Sequence, residues 1–249
     1  VAYQHYEESR IDRQRNNLNR RSLQDRVALW TANFDANKQV GKGEIFYGLE
    51  AIANKVASTG NSEHINTGAV QPVASRYPDG SKWNSFGGYG SYRINFHPKF
   101  TFNTGLRYNY ARVQAVFSNT FFPFPYQKAD IKDGAFTGNL GLVFRPAQSW
   151  QLNANISTGF RVPNIDDIGK LFESTPGNLT VPNPALQSEY AWNFELGFVK
   201  TIPSKLRVEL NGFYTLLDNA IVRRPFILNG QDSVMYDGAF SRVEALQNA

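Results

Sequence analysis

The sequence predicts an all-β fold, namely a segment of antiparallel transmembrane β-barrel holding about ten strands of a larger barrel. Three observations predict it. Apolar and polar residues alternate with period two over stretches of ten residues or more, and the connections between those stretches alternate between short and long. The third is composition: aromatics make up 14% and charged residues 19%, yet mean hydropathy is -0.42, so apolar and polar residues must be interleaved. A soluble domain usually carries about 25% charged residues.

The alternation is clearest at residues 100–110, where Phe100, Phe102, Leu106, Tyr108 and Tyr110 oppose Thr101, Asn103, Gly105, Arg107 and Asn109. It recurs at 150–160 (Trp150, Leu152, Ala154, Ile156, Phe160), at 190–198 (Tyr190 to Phe198) and at 205–214, where Phe213 breaks the polar face. Weaker versions run through 22–35, 43–57, 84–96 and 134–145, with the end of a strand at 1–8 and the start of one at 234–249. A membrane-spanning strand needs only about 9–11 residues with every other one apolar. A soluble β-sandwich also alternates, but its strands usually run to about five or six residues, and the aromatics here gather at strand ends as in a membrane girdle.

Short connections fall near 36–42, 97–99, 146–149 and 202–205; long ones fall near 9–21, 58–83, 117–133, 161–188 and 217–233. Short turns at one end and long loops at the other describe an outer-membrane barrel with periplasmic turns and extracellular loops. The polar face carries Arg93, Asn103, Arg107, Asn109, Asn153, Asn155, Glu195 and Glu209. A charge facing lipid at mid-bilayer costs a few kcal/mol, so these residues call for a wide, water-filled or plugged lumen.

Other classes are disfavoured. No run of about 18 apolar residues offers a transmembrane helix, and there is no cysteine for disulfide or thiolate chemistry. The net charge of +5 is spread along the chain, whereas phosphate binding wants a concentrated cationic face, so no nucleic-acid partner is expected. No P-loop, GxSxG, HExxH or dinucleotide fingerprint is present, so no enzyme is expected, nor any cofactor. The opening VAYQHYEESR is neither a charged n-region nor an apolar signal core, and the reading expects a processed or truncated chain.

Two stretches carry a family likeness. Ser157-Thr158-Gly159-Phe160-Arg161-Val162-Pro163-Asn164 resembles the FRAP box of TonB-dependent outer-membrane receptors. Pro182-Asn183-Pro184-Ala185-Leu186-Gln187-Ser188-Glu189 is similar to their NPxL…E box, and the strand YAWNFELGF follows it. Phe46-Tyr47-Gly48-Leu49-Glu50-Ala51, Asp218-Asn219-Ala220-Ile221 and the closing Ala245-Leu246-Gln247-Asn248-Ala249 agree with it. The resemblance implies a barrel of about 22 strands closed by a plug. It also implies active uptake of ferric siderophores, haem, cobalamin or glycans, driven by the TonB–ExbB–ExbD complex. Residues 1–249 then read as a partial barrel domain, a middle segment without TonB box, plug or closing C-terminal strand. A ferric siderophore is the favoured ligand. The alternatives are a passive porin-like or fatty-acid-type channel, embedded in the same outer-membrane lipid, and a soluble β-sheet binding module.

Within that frame Phe160, Arg161, Pro163, Asn183, Pro184 and Leu186 read first as architecture, because proline fixes φ and lacks a donor where a strand becomes a loop. Phe121, Phe122, Phe124 and Tyr126, in SNTFFPFPYQK, can stack on catecholate or sugar rings or pack loop on loop. Arg223 and Arg224 can attract an anionic chelate or stay solvated. No metal site is expected: Asp166 and Asp167 supply too few oxygens for Ca²⁺. The family's haem-uptake members carry an axial histidine between the two boxes, and residues 165–181 contain none; His64 is the one external histidine, and a solvated role suits it better.

Overall fold

A computed structural model describes residues 1–175, 177–236 and 238–249. Strands β1 (Ala2–Asp12), β2 (Asn19–Val40), β3 (Gly43–His64), β4 (Val70–Pro72), β5 (Lys82–His97), β6 (Phe100–Val116), β7 (Lys128–Phe144) and β8 (Trp150–Arg161) lead to a short helix, α1 (Ile165–Gly169). Then follow β9 (Phe172–Thr175), β10 (Asn178–Val181), β11 (Glu189–Ile202), β12 (Leu206–Asp218), β13 (Ile221–Pro225), β14 (Ser233–Tyr236) and β15 (Ala239–Asn248). A ten-stranded antiparallel sheet forms a wall in the order β1-β2-β3-β5-β6-β7-β8-β11-β12, with β4 paired to β3.

Wall strands follow one another in chain order, each antiparallel to the last, across short and long connections alike, with α1, β9 and β10 inserted between β8 and β11. The β2–β3 turn is Gly41-Lys42, with Gly41 at φ 60°, where a side chain would be strained. Register carries the face assignment across the whole sheet. Phe34 pairs Leu49, Leu49 pairs Gly88, Gly88 pairs Tyr108 and Tyr108 pairs Phe136, so one row of the apolar face crosses five strands. Leu140, Ile156, Phe194 and Tyr214 form another. These rings and chains stand open: Phe34 is 58% exposed, Phe136 60% and Leu196 71%. An apolar face of that breadth exceeds what a soluble monomer leaves in water, and hydrocarbon covers it at about 25 cal/mol per Å².

Aromatic pairs bound the band. At the turn end Phe100 stacks on Phe144 with ring centroids 4.5 Å apart, and Trp150 meets Phe198 edge-on. At the loop end Tyr3 lies against Trp30 and Tyr108 against Phe136. From Phe100 to Tyr110 is ten residue steps of about 3.3 Å, and a barrel tilt of roughly 40° turns that into a band about 25 Å tall.

The opposite face is a polar network. Arg107 lies 3.2 Å from Glu50 Oε1 and donates to Asn109 Oδ1, whose amide donates to Thr137 Oγ1 at 3.0 Å. Tyr89 donates to Asp35, and Asn139 to Asn103. Gly87 is part of this network: a Cβ there would collide with the Arg107 guanidinium, so only glycine lets that side chain cross β5 to reach Glu50 on β3.

Above the loop-end aromatics the two faces exchange character. The formerly polar face becomes apolar, with Val27 beside Val56, Trp83 beside Val113, and Val113 beside Ile131. The formerly apolar face becomes charged, with Arg26, Lys55, Lys82, Arg112 and Lys132. The strands therefore continue past the membrane into water and pack inward there, which is why β2 and β3 reach 22 residues each.

A smaller five-stranded sheet, β13-β15-β10-β9 with β14 on β15, sits at the loop end, and β10 runs parallel to β15. The segment 234–249, read from its sequence as a further wall strand, belongs to this cap sheet, apart from Asp237, which lies outside the described residues. Its alternation is real, but its buried face (Val243, Ala245) packs on Leu179 and Val181, and alternation cannot tell a lipid-facing row from a protein-facing one.

Candidate ligand-binding site at the loop end of the wall

The first box turns out of β8 at Arg161. Its guanidinium donates to the carboxylate of Glu189 and, at 2.6 Å, to Asp167. Burial works against the Glu189 charge, but hydrogen bonds from Arg161 and from the Ile221 N–H outweigh it and hold the carboxyl below its usual range. Pro163 is fully buried. Asn164 then caps α1: its side chain accepts from Asp167 N–H while Asp167 accepts from Asn164 N–H, a reciprocal capping box. Val162, Ile165 and Ile168 bury against Ala111, Val113 and Ala115 of β6, so the helix sits on the inverted, apolar part of the wall.

The second box closes the same knot. Asn183 donates to the Leu246 carbonyl at 2.7 Å, Leu186 joins the α1 cluster, and Asn248 both accepts from Gln187 N–H and donates to its carbonyl. Phe160 packs against that cluster, and Pro184 is half-buried. Two boxes far apart in sequence thus meet in one structural junction between wall, helix and cap sheet. Asp166 is engaged too, accepting from the Tyr77 hydroxyl at 2.8 Å and pairing with Lys170. Burial first, and that bond second, push the Tyr77 phenol up.

The aromatic loop is mostly interior. Phe122 is buried, Phe124 lies against Phe117, Phe122 and Tyr126, and Tyr126 donates to the Pro182 carbonyl, its phenol pushed up by burial. Phe121 is the exception at 47% exposed. Two clefts meet at this loop. One, of about 330 Å³, is chiefly apolar and lies between Phe121, Phe122 and Phe124 on one side and Tyr77, Pro78 and Leu171 on the other. The second, of about 560 Å³, is polar, with Arg13, Asn17, Arg21 and Glu173 beside the same Phe121 and Phe122. Ion pairing with Asp12 at 3.1 Å helps fix Arg21.

Of the sequence-selected residues, Phe121, Phe122 and Phe124 line these clefts and Tyr126 braces them from below. Arg223 and Arg224 are exposed on β13 and line neither cleft. Tyr77, Arg13 and Arg21 were missed; their only sequence signal is the length of loops 9–21 and 58–83. His64 touches Thr67 at 3.1 Å on an exposed turn and lines neither cleft, His5 and His97 are elsewhere, and among the described residues no group of three His, Cys, Asp or Glu could hold a metal ion.

A wall with lipid-facing and polar faces, short turns at one end and a loop-built cap at the other narrows the field to outer-membrane barrels. The family model for the TonB dependent receptor-like β-barrel matches residues 1–241. The chain belongs to that family. It is a TonB-dependent receptor barrel of the bacterial outer membrane, with turns periplasmic and the capped end extracellular. No curated protein matches the sequence. Among solved structures, this receptor barrel is similar to the copper transporter OprC (TM-score 0.73, 12% identity), covering 99% of this chain and 38% of that one. It is also similar to the Serratia marcescens hemophore receptor HasR (0.64, 16%; 92% and 38%) and the ferric yersiniabactin uptake receptor FyuA from Yersinia pestis (0.61, 13%; 88% and 33%). At such identities the likeness is one of fold, and the chain spans 33–38% of those receptors' length.

Proposed function

We propose that this receptor barrel serves TonB-dependent uptake of a scarce ligand, captured at the extracellular clefts and passed along the polar lumen, and that the ligand is a ferric siderophore. The observation that carries the reading is the junction of an apolar and a polar cleft at Phe121 and Phe122. An amphiphilic organic chelate fits such a pair: its rings lie on the aromatic side, and its anionic oxygens meet Arg13 and Arg21, whose planar forks suit oxygen ligands. A bare copper ion or haem finds less support, since the histidines are scattered and a single methionine, Met235, with no cysteine in the chain, is the one soft ligand lining the polar cleft. The energy source on this reading is the TonB–ExbB–ExbD complex, acting through a plug.

The test is twofold. Titration of the full-length receptor with ferric catecholate and hydroxamate chelates, followed by intrinsic fluorescence, is expected to give saturable binding weakened by Phe121→Ala and by Arg13→Gln. Uptake of the bound radiolabelled chelate by cells is expected to vanish without TonB. Uptake persisting there would point to a passive channel, and saturable binding of haem or copper in place of the chelates would overturn the siderophore assignment.

A further inference from the structure

The two clefts lie beside loop 9–21, the densest run of arginine in the chain, yet the charges that line them cancel. Arg13 and Arg21 line the polar cleft, and so do Asp12 and Glu173. The apolar cleft adds one charge, that of Asp79. Among the described residues, the lining of the two clefts therefore sets two cations against three carboxylates.

Pairing takes up most of the surrounding cations. Arg21 donates to both oxygens of Asp12, at 3.1 and 3.2 Å, and Arg10 comes within 4.0 Å of the same carboxylate. Arg20 pairs with Glu63, Arg76 with Glu8 and Lys170 with Asp166. Arg15 stands exposed on the loop and lines neither cleft. Arg13 donates to the Asn17 carbonyl at 3.1 Å and, among the described residues, is the one cleft cation with no carboxylate partner. Glu173 accepts from the Gly177 N–H at 2.9 Å and has no cationic partner among the described residues.

We infer that Asp12 and Glu173 are specificity-determining residues, which fit the site to a ferric chelate of no net charge, of the trihydroxamate kind, and turn away polyanionic tricatecholates. The inference rests on the siderophore reading and names the class within it. Three hydroxamates bring three ionised oxygens to Fe³⁺, and the complex is neutral; three catecholates bring six, and three negative charges remain. Either complex can offer oxygens to Arg13 and Arg21. The trianion, however, must give up its hydration beside a chiefly apolar cleft, and no net positive charge in the lining returns it. Asp12 and Glu173 repel it as well. A neutral chelate meets neither cost and keeps the gain from the aromatic side. Discrimination of this kind works by repelling the wrong ligand as much as by attracting the right one.

The experiment titrates the full-length receptor in detergent, followed by intrinsic fluorescence, with three iron complexes. These are a trianionic tricatecholate, an uncharged trihydroxamate, and a trihydroxamate bearing one free ammonium group. The uncharged complex is expected to bind about tenfold tighter than the trianion, the effect of two carboxylates about 8 Å away in salt water, and the cationic one to rank above the trianion too. D12N/E173Q is expected to narrow the ratio between the uncharged complex and the trianion about tenfold. Glu244→Gln, the same charge change on β15 away from both clefts, is expected to leave that ratio alone. A trianion that binds the wild-type receptor as tightly as the uncharged complex overturns the inference and leaves the siderophore reading standing. A ratio unmoved in D12N/E173Q, or moved equally by Glu244→Gln, overturns it too. Binding of none of the three sinks the siderophore reading and this inference with it. The wild-type ratio is read without any variant, so it decides the matter even where a variant folds poorly.

Discussion

The guanidinium of Arg161, the last residue of β8, donates to the carboxylate of Glu189, the first residue of β11 and its register partner. Through Asp167 the same guanidinium holds α1, and through the Ile221 N–H, 2.6 Å from Glu189 Oε1, the carboxylate holds the start of the cap sheet. One ion-paired cluster therefore ties both α1 and the start of the cap sheet to the wall at these two strands.

Arg161→Ala removes the donor shared by Asp167 and Glu189, whose side chains are each only 13% exposed. Leaving a part-buried charge without its partner costs about 1–3 kcal/mol. The expected result is faster amide hydrogen exchange over residues 162–188 and 219–225, with the wall strands unchanged. Arg161→Lys is expected to recover part of the protection, because an ammonium cannot fork between two carboxylates. Unchanged exchange in both variants would detach the junction from this pair.

Glu189 titrates below its ordinary value of 4.5 in the folded receptor. A depressed folded pKa contributes stability that is complete above the unfolded value and declines as pH falls toward the folded one. Protease resistance of the cap is therefore expected to hold from neutrality down to about pH 4.5 and to weaken below it. In Glu189→Gln the cap is expected to be weaker at neutral pH and to lose this Glu189-dependent part of the acid sensitivity.

The wall was largely legible in the sequence because side-chain alternation is a direct image of strand geometry, and lipid demands that it persist for the width of the membrane. Phe100 to Tyr110 needed no tertiary knowledge to read. The strand lengths were less legible: beyond Tyr110 the alternation continues but with its sense reversed, Ala111 and Val113 turning inward and Arg112 outward. A fixed expectation of apolar-out therefore ended the strand too soon. Of the site, Phe121, Phe122 and Phe124 were found because aromatics in a long loop are conspicuous. Tyr77, Arg13 and Arg21 were not, since their neighbourhood to that loop depends on how loops fold over the wall, which carries no local pattern.

Gly87 offers a test of the lumen network. Its missing side chain is the space through which Arg107 reaches Glu50. Gly87→Val is expected to displace that guanidinium from Glu50 and to cost up to about 1 kcal/mol, the worth of a part-exposed ion pair, seen as a lower temperature of heat modification on gels. The double variant Gly87→Val/Arg107→Ala is expected to lose less than the sum of the single changes, because with Arg107 truncated the valine has nothing to strike. Additive losses would mean the two residues do not share that space.

The neighbours Phe121 and Phe122 separate cap stability from ligand contact. Phe122 is 5% exposed and packs on Phe124 and Tyr236, so Phe122→Ala opens a cavity in the cap at a cost of about 3–5 kcal/mol. Phe121 is 47% exposed, and its truncation is expected to alter stability by no more than about 0.5 kcal/mol. Both rings border both clefts, so both variants are expected to bind a ferric chelate less well, for different reasons. In Phe121→Ala the loss comes from a missing stacking surface, worth about 0.5–1.5 kcal/mol, with cap proteolysis unchanged. In Phe122→Ala the weaker binding comes together with rapid cleavage of the loop around residues 117–127. Chelate affinity that stays at the wild-type value in Phe121→Ala while falling in Phe122→Ala would assign the aromatic loop to packing alone and move the binding surface to Tyr77 and the arginines opposite.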